Sequence, residues 1–205
     1  RQPLMNRTPI YLALLSALLV GVVHAEDAGK ATLWPDNAPL GKRNLVFVLD
    51  SGASVRVDVL SPRLFRIRHS KTKQWTESGL NRYGILNSVF PEVAFEHKEA
   101  GGVFSIVTQQ AALTVSRKDG SMTLTTADGT AIAEQAAPVD QANAGYEVRF
   151  ALAREERIYG LGDVSRENIM RRGGVYEIWV KDVHSYIPIP VVLSNRGWGL
   201  LMNTT

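Results

Sequence analysis

Ser54-Val55-Arg56-Val57-Asp58-Val59-Leu60-Ser61-Pro62-Arg63-Leu64-Phe65-Arg66-Ile67-Arg68 decides the class of fold. Val55, Val57 and Val59 alternate with Arg56 and Asp58, and Phe65 and Ile67 alternate with Arg66 and Arg68. A period of two lets each run bury one face and wet the other, which describes the strands of a sandwich and not helices.

The same period dominates outward from this stretch, between Asn44 and Met202. Strands are expected at 44–49, 54–60, 64–69, 93–97, 103–109, 146–152, 175–180, 189–194 and 198–202. Asp50-Ser51-Gly52, Ala100-Gly101-Gly102, Lys118-Asp119-Gly120-Ser121 and Ala127-Asp128-Gly129-Thr130 separate β-rich runs. Asp-Gly suits the positive φ angles of hairpin turns, so Leu113-Val115 should pair with Met122-Thr126 across Asp119-Gly120. Two stretches break the rhythm: Lys71 to Val89 reads as a polar connection around Trp75 and Tyr83, and Glu134 to Gly145 as a small-residue surface loop. No solenoid, propeller or heptad repeat is present. The reading is an all-β, antiparallel β-sandwich.

With 205 residues the chain can hold one domain with a sizeable core, or the first piece of something larger. Arg7 precedes the apolar run Ile10 to Val23, and Val23-His24-Ala25 places small residues where a signal peptidase reads them. The expectation is a secretory signal peptide in residues 1–25, cleaved after Ala25, and a domain in 26–205 that is periplasmic or extracellular. Arg1 to Leu4 precede Met5 and are read as extra to the natural product. A membrane anchor is the rival, but it needs about 20 apolar residues, and this run is shorter and followed by Glu26 and Asp27.

Removing residues 1–25 removes Arg1 and Arg7 and no acid, so the net charge of +3 falls by 2 to +1. No block of like charges remains to mark a nucleic-acid or membrane surface. The absence of cysteine excludes disulfides, thiolate metal sites and a cysteine nucleophile. His24, His69, His97 and His184 are scattered, none at metal-ligand spacing with another. Neither a metal nor another cofactor is expected.

The chemistry-bearing stretch is Glu156 to Thr205. In Tyr159-Gly160-Leu161-Gly162-Asp163 two glycines flank one leucine, permitting positive φ or close backbone approach on both sides of an anchor. A phosphate cradle is excluded, because Ser165 replaces the third glycine and no strand-to-helix switch follows. Pro188 and Pro190 lie two apart, so both missing N–H groups fall on one side of a strand, marking a strand start or an edge.

Taken together, Tyr159-Gly160-Leu161-Gly162-Asp163, Trp179-Val180-Lys181-Asp182, Tyr186-Ile187-Pro188-Ile189 and Gly197-Trp198-Gly199-Leu200-Leu201-Met202-Asn203 occur in an order that resembles the N-terminal β-sandwich domain of glycoside hydrolase family 31, the α-glucosidases, α-xylosidases and relatives. Asp163 stands where that family has glutamate, and Val180 where it has asparagine. The resemblance is looser over the preceding residues. It implies a mutarotase-like supersandwich, followed in the family by a (β/α)8 barrel that carries the catalytic aspartates and is absent from this sequence. The chain is then an accessory domain of a secreted retaining α-glycosidase, with no catalytic residue of its own and inert alone. The implied partners are a carbohydrate substrate and the chain's own barrel, with no nucleic acid and, after signal cleavage, no membrane.

Glycosidic hydrolysis takes two carboxylates, and Asp163, Glu167, Glu177 and Asp182 could each be offered; the resemblance argues against all of them as catalysts. It singles out Asp182 instead as a substrate-binding residue, on a loop reaching toward the barrel mouth, where a carboxylate can accept two sugar hydroxyls. A solvated turn aspartate is the other reading. Trp179, Trp198 and Tyr159 read as core, and Asp163 as a brace for its loop through backbone hydrogen bonds. Two competing classes are a free-standing carbohydrate-binding sandwich and a sugar mutarotase; the apolar run ending at Met202 favours the accessory domain of a larger enzyme over the binding sandwich, and no motif marks a mutarotase's histidine–carboxylate pair.

Overall fold

The computed structural model describes residues 16–19, 31–33, 43–87, 89–140, 146–163, 168–178 and 187–203. The strands are β1 (Ser16–Leu19), β2 (Ala31–Leu33), β3 (Asn44–Val48), β4 (Ser54–Ser61), β5 (Leu64–Ser70), β6 (Val89–Pro91), β7 (Glu96–Ala100), β8 (Val103–Val107), β9 (Ala111–Ser116), β10 (Met122–Thr126), β11 (Ala131–Asp140), β12 (Glu147–Ala151), β13 (Ile158–Gly162), β14 (Pro188–Ser194) and β15 (Gly199–Met202). The helix among the described residues is α1 (Gly79–Arg82), capped by the Ser78 hydroxyl, which accepts from Asn81 N–H.

Seven strands form one sheet in the order β13-β14-β15-β1-β5-β4-β3, six form a second in the order β12-β11-β10-β9-β8-β7, and β2 pairs with β6. The pairings are antiparallel. The core lies between the two large sheets, with Val55, Val57, Val59, Phe65 and Ile67 on one side and Phe104, Ile106, Leu113, Val115 and Leu124 on the other. Phe47 stacks on Phe104 with ring centroids 4.3 Å apart. Fully burying side chains of this size is worth about 1.5–3 kcal/mol each, and that term joins the sheets.

The β9–β10 hairpin pairs Leu113 with Leu124 and Val115 with Met122, so the two runs expected to pair do so. Gly120 takes φ +74°, and Asp119 Oδ1 accepts from Ser121 N–H at 3.0 Å. Those hydrogen bonds hold the Asp119 carboxyl below its usual range.

Four expectations are corrected. Arg56, Asp58, Arg66 and Arg68 do not face water: every residue of β4 is buried, Arg56 to 2% and Asp58 to 0% exposure. The connection after β5 supplies groups that cover this face. Arg68 lies 5.6 Å from the Trp75 ring and donates to Thr76 O, Arg43 donates to Phe90 O, and Asn203 donates to Ser78 Oγ at 2.6 Å. Asp58 makes the layer tolerable by accepting from Arg56 Nε and Arg66 Nε, each at 2.9 Å, and from Arg68 Nη2 at 3.4 Å.

The stretch from Glu134 is not a loop as far as Asp140, because β11 runs through it. Glu134, Ala136 and Pro138 are exposed while Gln135 is buried, and irregular register after Gln135 lets Pro138 lie in the strand without a ladder N–H. Val175 to Ile178 are not strand; Val175 is 98% exposed, and among the described residues no sheet partner reaches it. The strand expected at 93–97 begins at Glu96.

Pro188 does start a strand, but β14 is interior. The register shift opposite Gly160–Gly162 takes up the missing donors on the β13 side, and pairing with β15 begins at Val191.

Candidate functional site

The Tyr159–Asp163 motif forms the end of β13 and then departs from the sheet. Gly160, Leu161 and Gly162 have φ of +110°, +65° and +68°, three successive residues in a region that L side chains rarely enter. Gly160 and Gly162 are required twice over: a Cβ on Gly160 would run into the Val191 carbonyl oxygen, and one on Gly162 into that of Ile187. Leu161 between them is buried, as the anchor reading anticipates.

Arg171 holds this bulge. Its Nε donates to Gly160 O at 3.0 Å, Nη2 to Gly162 O at 3.1 Å and Nη1 to Asn168 O at 2.6 Å, and the guanidinium lies 5.0 Å from the Tyr176 ring centroid. The Arg171 N–H also donates to Ile158 O at 2.6 Å. One planar cation with several fixed donors suits carbonyls that a bulge has turned out of the ladder. The sequence reading did not single out this arginine as a brace. Asp163 is exposed, and its backbone N–H donates to Ile187 O at 2.9 Å.

Behind the bulge Glu156 is buried. Its Oε1 accepts from the Trp198 indole N–H at 2.7 Å and from Ser194 Oγ at 2.5 Å, and its Oε2 from Ala153 N–H at 2.9 Å. Arg172 Nη1 gathers the carbonyls of Ala153, Arg154 and Glu156 at 2.6, 3.0 and 2.7 Å. Trp198 is core, as expected, and stacks on Phe150 at 5.2 Å; Tyr159 is only half-buried. Nothing in composition or period marks Glu156 or Arg171 for burial, or Arg172 for its carbonyl contacts; the one available signal is that Glu156 and Trp198 sit toward the two ends of the motif-rich stretch.

The Asp163 N–H to Ile187 O bond and the pairing of Gly162 with Pro188 pinch the chain together at the sheet end. Of the residues between these two ends, the described ones, 168–178, form no strand and return to the sheet through Arg171. Asp182 lies outside the described residues, as do Trp179, Val180, Tyr186 and Glu167. Of the other acids proposed, Asp163 and Glu177 are exposed. Ile187 at 71% and Leu193 at 47% leave an apolar rim beside the base. Among the described residues no group of His, Cys, Asp and Glu is placed to hold a metal ion, and no helix is long and apolar enough to cross a membrane.

A two-sheet antiparallel sandwich with a glycine-bulged strand carrying an excursion at one end defines the class, and comparison with known proteins defines the family. Residues 54–205 match the family described as the glycosyl hydrolase 31 N-terminal galactose mutarotase-like domain, and the chain belongs to that family. No curated protein matches the chain. Among solved structures, the GH31 α-xylosidase of Xanthomonas citri is similar with a TM-score of 0.65 at 17% identity, over 81% of this chain and 19% of that one. The GH31 dextranase of Flavobacterium johnsoniae, complexed with glucose, gives 0.63 at 20% identity, over 83% and 22%. A GH31 α-xylosidase from a soil metagenome, complexed with xylose, gives 0.61 at 18% identity, over 80% and 27%. At these identities the likeness is one of fold, and the chain spans about a fifth to a quarter of the length of these enzymes.

Proposed function

We propose that the chain is the N-terminal accessory domain of a longer, secreted, retaining α-glycosidase acting on terminal α-linked glucosides or xylosides, and that it supplies a loop to the rim of the active site. The observation that carries this reading is the pinch between Asp163 and Ile187. An arginine-braced base fixes where the chain leaves the sheet after Asp163 and rejoins it at Ile187, which is what a loop needs in order to present a side chain at a defined place. The match to a domain that is N-terminal in glycosyl hydrolases supports the enzyme class, and α-xylosidases and a dextranase among the structural neighbours support the substrate class. Catalysis belongs to the remainder of the longer enzyme, and the apolar rim at Ile187 and Leu193 suits a surface that the remainder covers.

In this reading Asp182 accepts hydroxyls of the sugar. Asp182→Asn in the full-length enzyme should lower kcat/KM by the equivalent of about 1.5–3 kcal/mol, the range for hydrogen bonds to a charged group, while unfolding is unchanged. Unchanged kcat/KM on every accepted substrate removes Asp182 from the site. Turnover of aryl α-glucosides by the 205-residue chain alone would place catalysis in this domain, and saturable sugar binding without turnover would make it a binding module.

A further inference from the structure

Strand β1 occupies an interior position of the seven-stranded sheet, between β5 and β15. Ala17 lies opposite Ile67 on one side and Met202 on the other, Leu18 opposite Arg66 and Leu201, and Leu19 opposite Phe65 and Leu200. All of these flanking residues are buried. In the strand order β5 and β15 are not neighbours, so among the described residues β13-β14-β15 and β5-β4-β3 are bonded into one sheet only through β1.

Without β1 the facing edges of β5 and β15 would stand two strand spacings apart, about 9–10 Å, too far to pair with each other. Their main-chain groups lie between buried side chains, where water cannot substitute for a strand. The segment that bridges them, Ser16–Leu19, belongs to the same apolar run that reads as a leader cleaved after Ala25. We infer that the position between β5 and β15 is a strand-acceptor slot whose occupant in the uncleaved chain is Ser16–Leu19, so that leader removal vacates a place in the sheet. A chain cut after Ala25 presents two facing edges that take an extended apolar segment, antiparallel to both flanks, by strand addition. This inference is independent of the glycosidase reading, since no sugar enters its test.

The chain has no cysteine of its own, which gives a clean readout. Opposed Cα atoms of antiparallel strands lie about 4.5–5.5 Å apart, within disulfide reach. The intact chain carrying Ala17→Cys and Met202→Cys should close an intramolecular disulfide under mild oxidation, whereas Ala17→Cys with Leu124→Cys, in the other sheet, should not. Equal yields from both pairs overturn the placement. Ala17→Pro in the intact chain should speed hydrogen exchange at the amides of Leu64–Ser70 and Gly199–Met202 by at least about tenfold and leave the β9–β10 hairpin protected; unchanged exchange overturns it. Finally, residues 26–205 should refold in higher yield with a peptide of residues 14–21 than without it. Equal recovery in the two arms, full or nil, overturns the acceptor slot.

Discussion

The indole N–H of Trp198 donates to Glu156 Oε1 at 2.7 Å inside the sandwich, joining the turn before β13 to the start of β15 across 42 positions of sequence. Because Ser194 Oγ donates to the same oxygen, the carboxylate has two side-chain donors and cannot lose one without consequence. Trp198→Phe keeps the ring packed on Phe150 and removes only the donor. It should cost about 1–3 kcal/mol of stability, the penalty for an under-satisfied buried polar group. Combined with Ser194→Ala the loss should be non-additive, because both changes strip one acceptor. Urea denaturation of the two single variants and the double variant reads this directly; strict additivity would mean the shared oxygen couples nothing.

Gly160 and Gly173 make a controlled pair. Both have positive φ, +110° and +84°, but a Cβ on Gly160 meets the Val191 carbonyl whereas one on Gly173 meets nothing within 4 Å. Gly173→Ala should therefore cost only the backbone term, roughly 1 kcal/mol. Gly160→Ala should cost well over ~2 kcal/mol or abolish folding, since the neighbour that must move is backbone of β14. Melting temperatures of the two variants decide it, and similar shifts would show that close approach at Gly160 is relaxed cheaply.

His69 faces the core opposite Val55, with its ring against Gly120 and its Nε2 buried and without a hydrogen-bond partner among the described residues. Burial lowers its pKa to about 4 from an ordinary 6.5. Between those values the unfolded chain binds a proton that the folded chain refuses, so stability is full above about pH 6.5 and falls as pH drops toward about 4, by on the order of 3 kcal/mol in all. Unfolding free energies across that window should fall less steeply in His69→Leu than in the parent, and parallel profiles would locate the pH dependence elsewhere.

Much of the fold was legible because period two and Asp-Gly turns are local properties. The β9–β10 pairing could be written down from Asp119-Gly120 and two alternating runs, and the two runs are found paired. Burial of a strand's second face is not local. Arg56 and Asp58 alternate with valines as solvent-facing residues do, and only the later arrival of Trp75, Thr76 and Ser78 over that face makes them interior. At the site, Gly160 and Gly162 announced positive φ through their spacing. Arg171 did not announce its role, because an arginine that satisfies carbonyls of a distant bulge carries no periodic signature. Asp182 stood out only through resemblance to a family, and it lies outside the described residues.

Asp58 shows how much rests on that second face. It meets three guanidinium groups at 0% exposure. Asp58→Asn keeps the shape and removes the charge, leaving the cations without their shared counter-charge. The expected loss is about 3–5 kcal/mol, as for breaking a buried ion pair from one side. Asp50→Asn, where the Asp50 side chain pairs with the exposed Arg117, should cost less than ~1 kcal/mol. Chemical denaturation of both variants supplies the comparison; equal costs would mean that the layer around Asp58 is solvated.

A strand with eight buried residues and no outward position also constrains how the chain can vary over time. Along β4 neither the valine side nor the charged side has a site where a substitution goes unnoticed, and a one-residue slip would exchange guanidiniums for valines across the whole core. β7, with all five residues exposed, carries no such restriction. Neutral drift among relatives should therefore collect at the β7 edge of the six-stranded sheet, while the sequence of β4 changes slowly and in concert with Arg66 and Arg68.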